Sequence, residues 1–426
     1  MTNTTILPSS STPSSTPTTL LPFATRATLP HTPPLLVHLY RLMSLKRSNL
    51  CLSADVTTSS ALLRLADACG PHIAVLKTHA DIVGDFTART SAALQALAAR
   101  HGFLVFEDRK FGDIGHTVQM QYTGGPLRIA DWAPITNAHI FPGPAVVASL
   151  EAAAAQVVSA AACSRRTEIT GGDDGAGRGD GGSDAEPASD PTGFFDAAVV
   201  PPPAAEEEYG EEHEHEDAAT RARRAHLAAH QIAESPLDRS ARKASVVSIA
   251  TTISATRESL STSPSALAAA GPASPESLAA LGPPPMARGL LLLAQMSSAD
   301  NAFTPAYTAL CVAAARKHRG FVMGYVAQEG LNEVHEGEGE GENDNFITMT
   351  PGVALPPRGQ EEHGGVTGDA QGQRYNTPWR VVVERGCDVV IVGRGIVNAE
   401  DPAEEAQRYR EEAWTAYLAR VRAQRP

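Results

Sequence analysis

The sequence contains few features of secreted, membrane-bound or nucleic-acid-binding proteins. Its five cysteines are odd in number and have no paired spacing, which argues against a disulfide framework and is typical of reduced thiols. A formal net charge of −13 argues against nucleic acid as the main partner. We find no apolar run of membrane-spanning length and no secretory signal pattern at the N-terminus. We therefore expect a cytoplasmic protein that binds neither membrane nor nucleic acid.

Two stretches lack the composition of a packed core. Residues 1–21 are rich in Ser, Thr and Pro, and residues 164–285 contain Gly/Asp, acidic and Pro-rich tracts. Such segments bury too little apolar surface to fold, so the sequence predicts a disordered N-terminal tail and a disordered insertion. The remaining ranges, 22–163 and 286–426, add up to roughly the size of one (β/α)8 barrel.

Short apolar segments alternate with helical patterns in those two ranges. The predicted strands lie near residues 50–52, 73–76, 103–106, 135–137, 290–294, 321–326, 346–349 and 389–392. The helical patterns between and after them include residues 60–68, 91–99, 144–157, 304–317 and 402–420. A strand followed by a helix, repeated along the chain, indicates parallel βαβ units. The sequence therefore predicts an α/β fold, a (β/α)8 TIM barrel with the insertion between the fourth helix and the fifth strand.

Charged residues follow the ends of three successive predicted strands. Asp55 and Lys77 end the first two, and Asp108, Lys110 and Asp113 come after the third. In a parallel barrel these strand ends meet at one mouth, where such folds place their chemistry. Alternating signs stabilise such a cluster because each charge has an opposite neighbour. The sequence predicts a preorganised charge array, the alternative being a solvated charged turn.

A possible anion site follows the last predicted strand. Residues 389–392 are apolar and lead into Gly393-Arg394-Gly395. Glycine lets backbone N–H groups approach an anion closely, and the arginine guanidinium matches a phosphate. The pattern alone is weak, but at this place in the barrel it favours a phosphate site.

Together these motifs resemble those of the fungal orotidine 5'-phosphate decarboxylases. The matching segments are residues 53–56, 76–79, 106–117, 135–139, 289–297, 349–353, 373–375 and 392–395. They occur in the order of that family from about Leu36 to the C-terminus, interrupted by one large insertion. Because many motifs agree, the resemblance is specific.

The resemblance implies cofactor-independent decarboxylation of orotidine 5'-monophosphate to uridine 5'-monophosphate, the final step of de novo pyrimidine synthesis. No metal is required in that family. Loss of carbon dioxide leaves a carbanion at carbon six, so a fixed cation has to stabilise it. Lys110 matches the family's catalytic lysine, which also supplies the proton. Asp108 would orient Lys110 beside the departing carboxylate, and Lys77 and Asp113 would complete the network.

The resemblance also implies a set of substrate-binding residues and a homodimer. The set is Ser53, Asp55, Lys77, Thr78, His79, Asp108, Thr117, Ser297, Gln373, Tyr375, Arg394 and Gly395. Among them, Ser297 matches a serine that binds the pyrimidine ring, and Gln373 and Tyr375 match a loop that closes over the phosphate. The family positions of Asp113 and Thr117 enter the site from a second subunit.

Two other functions remain open from the sequence. The first is a metal-dependent phosphosugar lyase or synthase on the same barrel, whose activity a chelator would abolish. The second is a non-catalytic scaffold that presents the insertion to a partner. The charge array around Lys110 and the pair Gln373 and Tyr375 favour the decarboxylase over both.

Overall fold

The computed structural model describes residues 16–170, 273–298, 300–334, 344–356, 367–368 and 374–423, with side chains in the helix after residue 144 described as far as residue 163. The chain divides into two units, Met1–Asp174 with Ser259–Pro426, and Gly175–Glu258. The second unit lies outside the described residues. Most of the predicted tail and insertion lie outside them as well.

Eight parallel strands close into a barrel in chain order, with the first strand pairing with the last. They are β1 (Leu50–Ser53), β2 (Val75–Thr78), β3 (Leu104–Phe111), β4 (Ile135–Ala138), β5 (Gly289–Leu293), β6 (Val322–Val326), β7 (Ile347–Thr350) and β8 (Val389–Val392). Each overlaps a predicted strand. The predicted (β/α)8 barrel is confirmed.

Helices follow the strands and cover the barrel. They are α1 (Phe23–Arg26), α2 (Pro34–Lys46), α3 (Ser59–Cys69), α4 (Ala88–His101), α5 (Gly115–Thr123), α6 (Ile129–Trp132), α7 (Ala145–Thr170), α8 (Pro275–Leu281), α9 (Pro305–Lys317), α10 (Arg394–Val397) and α11 (Pro402–Arg422). A π-helical turn, Arg380–Glu384, precedes β8, and Thr367–Gly368 pairs antiparallel with Arg374–Tyr375. The predicted helices correspond to α3, α4, α7, α9 and α11.

Strand register determines which side chains point into the barrel. Ser53 pairs with Lys77, and Lys77 pairs with Phe106. Paired residues of neighbouring strands point to the same side of a sheet, and successive residues of one strand point to opposite sides. Ser53, Lys77 and Phe106 therefore share the inner side, at the C-terminal end of the barrel. Thr78 and Glu107, one residue further along β2 and β3, point outwards.

Helix α7 follows β4 and has an unusually apolar sequence. By length and composition, Ala145–Cys163 is apolar enough to cross a membrane, with a hydropathy of 1.6, which corrects the expectation that no such run exists. Val146, Val147 and Leu150 are buried in the hydrophobic core. The helix packs on the barrel, and its apolar side faces the core.

Some described residues within the predicted tail and insertion contact the rest of the fold. Thr18 lies in a 3-10 turn, and its hydroxyl donates a 2.6 Å hydrogen bond to the carbonyl of Asp344. At the end of the predicted insertion, Ser274 caps α8, and Leu278 of this helix packs against the core. These described residues therefore lie within the ranges that the sequence assigns to the tail and to the insertion.

Candidate active site

Asp108 lies at the centre of a cluster of charged side chains at the C-terminal mouth of the barrel. Lys77 Nζ donates to its Oδ2 atom at 2.8 Å, and Lys110 Nζ donates to its Oδ1 atom at 2.6 Å. His79 Nε2 is 3.2 Å from Oδ2. Asp55 lies at the edge, with Oδ1 3.7 Å from Lys77 Nζ. The structure thus brings together the alternating charges that the strand ends predict.

The surroundings keep the centre of this cluster ionised. Burial by itself raises the pKa of Asp108, but the charges of Lys77 and Lys110 and the hydrogen bond from His79 outweigh it and hold that pKa well below the usual range. Burial likewise lowers the pKa of Lys77, whereas the charges of Asp108 and Asp55 raise it above its ordinary value. Asp108 is therefore an anion and Lys77 a cation at neutral pH.

Strand β3 carries Asp108 and Lys110 further than the sequence predicts. The third predicted strand ends at Phe106, but β3 continues to Phe111. The register with β4 shifts between Glu107 and Phe111, and Lys110 has a φ of +52°. Such a left-handed conformation is uncommon for a residue with a side chain. The irregular strand nevertheless points Asp108 and Lys110 into the same cavity.

Two residues outside the predicted set support the cluster from behind. Glu107 Oε1 accepts the Ala80 N–H at 3.0 Å and Oε2 accepts the Thr78 hydroxyl at 2.6 Å, so that Glu107 holds the turn in which His79 lies. Burial raises the pKa of Glu107 to about 7, against the opposing hydrogen bonds from Thr78 and Ala80. The second residue, Asn137, contacts the cluster directly. The polar sequence of residues 107–110 gives no sign that Glu107 is buried.

A cavity of about 230 Å³ opens beside the cluster. The predicted site residues that line it are Ser53, Asp55, Lys77, Asp108, Lys110, Ser297, Tyr375, Arg394 and Gly395. Apolar side chains from the inner strands, among them Phe106 and Ile391, complete its wall. The charge array and the Gly-Arg-Gly turn, far apart in sequence, thus share one cavity.

Another part of the cavity wall is formed around Arg394. Its guanidinium carbon lies 5.7 Å from the centre of the Tyr375 ring. Gly395 is required there, because a Cβ atom at that position would lie 2.4 Å from the hydroxyl oxygen of Tyr409. Arg394 itself is exposed to solvent. This wall presents a cation and a close backbone approach, which suits an anionic group.

Three predicted residues outside the charged cluster do not line the cavity, and a fourth is not among the described residues. The Thr78 hydroxyl faces Glu107 on the outer side of the barrel wall. Asp113 is exposed, and its Oδ2 atom accepts a 2.8 Å hydrogen bond from Gln121 Nε2. Thr117 is exposed on α5, and Gln373 lies outside the described residues.

A larger cavity, about 520 Å³, lies at the opposite end of the barrel. Leu42, Phe103, Trp132 and Leu278 are among its mainly apolar lining residues. It has no counterpart of the charge array, and parallel barrels place their chemistry at the C-terminal ends of the strands. The smaller cavity is therefore the candidate active site. Among the described residues, no group of three or more His, Cys, Asp or Glu side chains is arranged to hold a metal ion.

Comparison with known proteins points to one family. The model of the orotidine 5'-phosphate decarboxylase / HUMPS family matches residues 48–177 and 229–409. An orotidine 5'-phosphate decarboxylase of Hypocrea jecorina is 43% identical over 95% of this chain and 98% of its own length. That of Sordaria macrospora is 41% identical over 90% and 92%, respectively. The solved orotidine 5'-monophosphate decarboxylase from Methanocaldococcus jannaschii covers 86% of this chain and 98% of its own, with 13% identity and a TM-score of 0.39. On the family model and these full-length relatives, the chain belongs to the orotidine 5'-phosphate decarboxylase family.

Proposed function

We propose that this chain decarboxylates orotidine 5'-monophosphate to uridine 5'-monophosphate, the final step of pyrimidine synthesis, in the cavity beside Asp108. The arrangement of Lys77, Asp108 and Lys110 carries this proposal. It places one anion between two cations at the mouth of a barrel, and Arg394 lines the same cavity. The family to which the chain belongs performs this reaction.

Lys110 supplies the charge and the proton in the proposed reaction. When the carbon–carbon bond breaks, carbon dioxide leaves and its bonding electron pair remains on carbon six of the pyrimidine. The Lys110 ammonium, held 2.6 Å from Asp108, stabilises that pair electrostatically and then protonates the carbon. Neutral Lys110 regains a proton from water. Asp108 fixes the direction of the ammonium and lies beside the departing carboxylate.

The remaining cavity residues bind the parts of the substrate that do not react. Asp55 and Lys77 hold the ribose hydroxyls, and Ser297 binds the pyrimidine ring. Arg394 and Tyr375, together with Gln373, bind the phosphate. Binding energy from a distant phosphate can lower the barrier when it is used to hold the reacting carbon against Lys110.

A second copy of the chain completes the proposed site. Asp113 and Thr117 are exposed and do not line the cavity of their own chain, as expected if they serve the site of a partner. Ile114 and Met120, next to them, are each 50% exposed. Large apolar side chains at this exposure favour burial against another surface. We place this homodimer in the cytoplasm.

The test is the ultraviolet absorbance change of orotidine 5'-monophosphate on conversion by the purified chain. Wild type and Lys110→Ala are assayed with and without a chelator. Chelator-resistant turnover that disappears in the variant supports the proposal. Turnover lost on chelation contradicts a cofactor-independent reaction. A folded wild type without turnover contradicts the decarboxylase and favours the scaffold or another phosphosugar substrate.

A further inference from the structure

Asn137, on β4, contacts Asp108 and Lys110 at once. Its Oδ1 atom accepts the backbone N–H of Lys110 at 2.7 Å, and its Nδ2 atom donates to Asp108 Oδ1 at 2.7 Å. The side chain is fully buried. The same Asp108 oxygen accepts the ammonium of Lys110 at 2.6 Å. One amide thus contacts the anion of the cluster and the backbone of the residue that carries the proton.

The strand register explains why a side chain has to make these contacts. Glu107 pairs with Thr136, and the next pair joins Phe111 to Ala138. Residues 108, 109 and 110 of β3 therefore face the single residue Asn137 of β4. Two extra residues interrupt the ladder, as in a bulge. The Lys110 N–H finds its acceptor in the Asn137 side chain, which stabilises the left-handed turn at φ +52°.

Chemistry fixes the direction of the amide. A backbone N–H only donates, and an ionised carboxylate only accepts. The oxygen of Asn137 must therefore face Lys110, and its nitrogen must face Asp108. An aspartate at this position can still accept the Lys110 N–H, but it places a second carboxylate against Asp108 in place of a donor. An alanine loses both hydrogen bonds.

We propose that Asn137 is a positioning residue for the decarboxylation, which holds the Asp108 carboxylate and the left-handed backbone of Lys110 in the geometry that aims the ammonium at carbon six. The inference rests on the proposed function. Asn137 does not line the cavity, so it acts through its two neighbours and not on the substrate.

The experiment compares wild type, Asn137→Asp and Asn137→Ala as full chains, with kcat and KM measured across pH. We expect kcat to fall about 100-fold in both variants, as for a catalytic group displaced by about 1 Å, and KM to change less than about threefold. In Asn137→Asp the acid limb of the kcat profile moves to higher pH. The new carboxyl shares a proton with Asp108, whose other neighbours are Lys77, His79 and Lys110. Asn137→Ala introduces no such carboxyl and leaves that limb in place.

Asn49→Ala is the matched control. Asn49 is also fully buried, and its Nδ2 atom donates to the Asp388 carbonyl at 3.0 Å, just before β1 and away from the cavity. We expect it to lower the thermal midpoint and leave kcat unchanged. If Asn137→Ala does not fold, the kcat and the pH profile of the isosteric variant Asn137→Asp test the positioning role.

Two results overturn the inference. Folded Asn137 variants with kcat within about twofold of an active wild type and an unmoved acid limb contradict the positioning role alone. A folded wild type without turnover removes the proposed function and this inference with it.

Discussion

The Thr78 hydroxyl donates a 2.6 Å hydrogen bond to Glu107 Oε2 on the outer side of the barrel wall. Glu107 is fully buried there, and burial raises its pKa from 4.5 to about 7. A carboxyl whose pKa is higher in the folded than in the unfolded protein stabilises the fold at low pH. This contribution is complete below pH 4.5 and is lost as the pH rises to about 7.

We therefore predict that Glu107→Gln flattens the pH dependence of stability. Glutamine resembles the protonated carboxyl and does not titrate. Between pH 4.5 and 7.5, the free energy of unfolding of the variant should rise relative to wild type by on the order of 3 kcal/mol, which is the equivalent of the pKa change. Urea unfolding at several pH values measures this. The control is Glu412→Gln at an exposed position of α11. Curves for Glu107→Gln and wild type that run parallel would contradict the prediction.

Glu107 also shows where prediction from sequence stopped. The eight strands were predictable because each is a short apolar run between a helical pattern and a turn. The end of β3 was not, because Glu107 to Lys110 is as polar as a solvated loop. The closed barrel buries Glu107 on its outer side and directs Asp108 into the cavity. Only the pairing with neighbouring strands determines this.

The candidate site was also predictable only in part. Asp55, Lys77, Asp108 and Lys110 were predictable because strand ends converge in a barrel. The role of Asn137 was not, although its strand was predicted, because the role depends on a register shift in the neighbouring strand. A register shift depends on how two strands pair in three dimensions, and it produces no periodic pattern of residues in the sequence.

Arg394→Ala should weaken the recognition of phosphate and leave the reacting centre intact. The arginine lines the same cavity as Lys110, at the start of α10. We predict that kcat/KM for orotidine 5'-monophosphate falls at least about 100-fold, since a charge-assisted contact to phosphate is lost. The slow decarboxylation of orotidine, which has no phosphate, should not change. The control is Arg128→Ala, whose side chain is 65% exposed in an ion pair with Asp131. An equal loss with both substrates would place Arg394 at the reacting centre.

Gly395→Ala should destabilise the fold around Arg394 through a steric clash. The new Cβ atom would lie 2.4 Å from the Tyr409 hydroxyl oxygen, which also accepts the Leu355 N–H at 2.9 Å. We predict a loss of about 1–3 kcal/mol of stability, as for other overpacked sites. Calorimetry measures it, with Gly320→Ala as the control because a Cβ atom there meets nothing within 4 Å.

A double variant separates the steric cause from other effects. Tyr409→Phe removes the obstructing oxygen, so that Gly395→Ala combined with Tyr409→Phe should lose less stability than the sum of the single changes. Strict additivity would show that the hydroxyl is not the obstacle.

Mixing two inactive variants tests whether the active sites are shared between subunits. Asp113 is exposed and bonds Gln121, away from Asp108 and Lys110 of its own chain. If it serves the partner's site, a hybrid dimer of Lys110→Ala and Asp113→Ala has one site with both defects and one site with neither. With free subunit exchange, half of the dimers are hybrids, so about a quarter of wild-type activity should return.

The recovery should depend on contact between the subunits. Ile114 and Met120 are half exposed beside Asp113, and burying them against a partner would stabilise the dimer. Ile114→Asp in both variants should therefore suppress the recovery and shift the protein towards monomers in sedimentation. Recovery that never exceeds the sum of the two separate activities would mean that Asp113 acts within its own chain. The exposed position of Asp113 would then require a movement of the segment between β3 and α5.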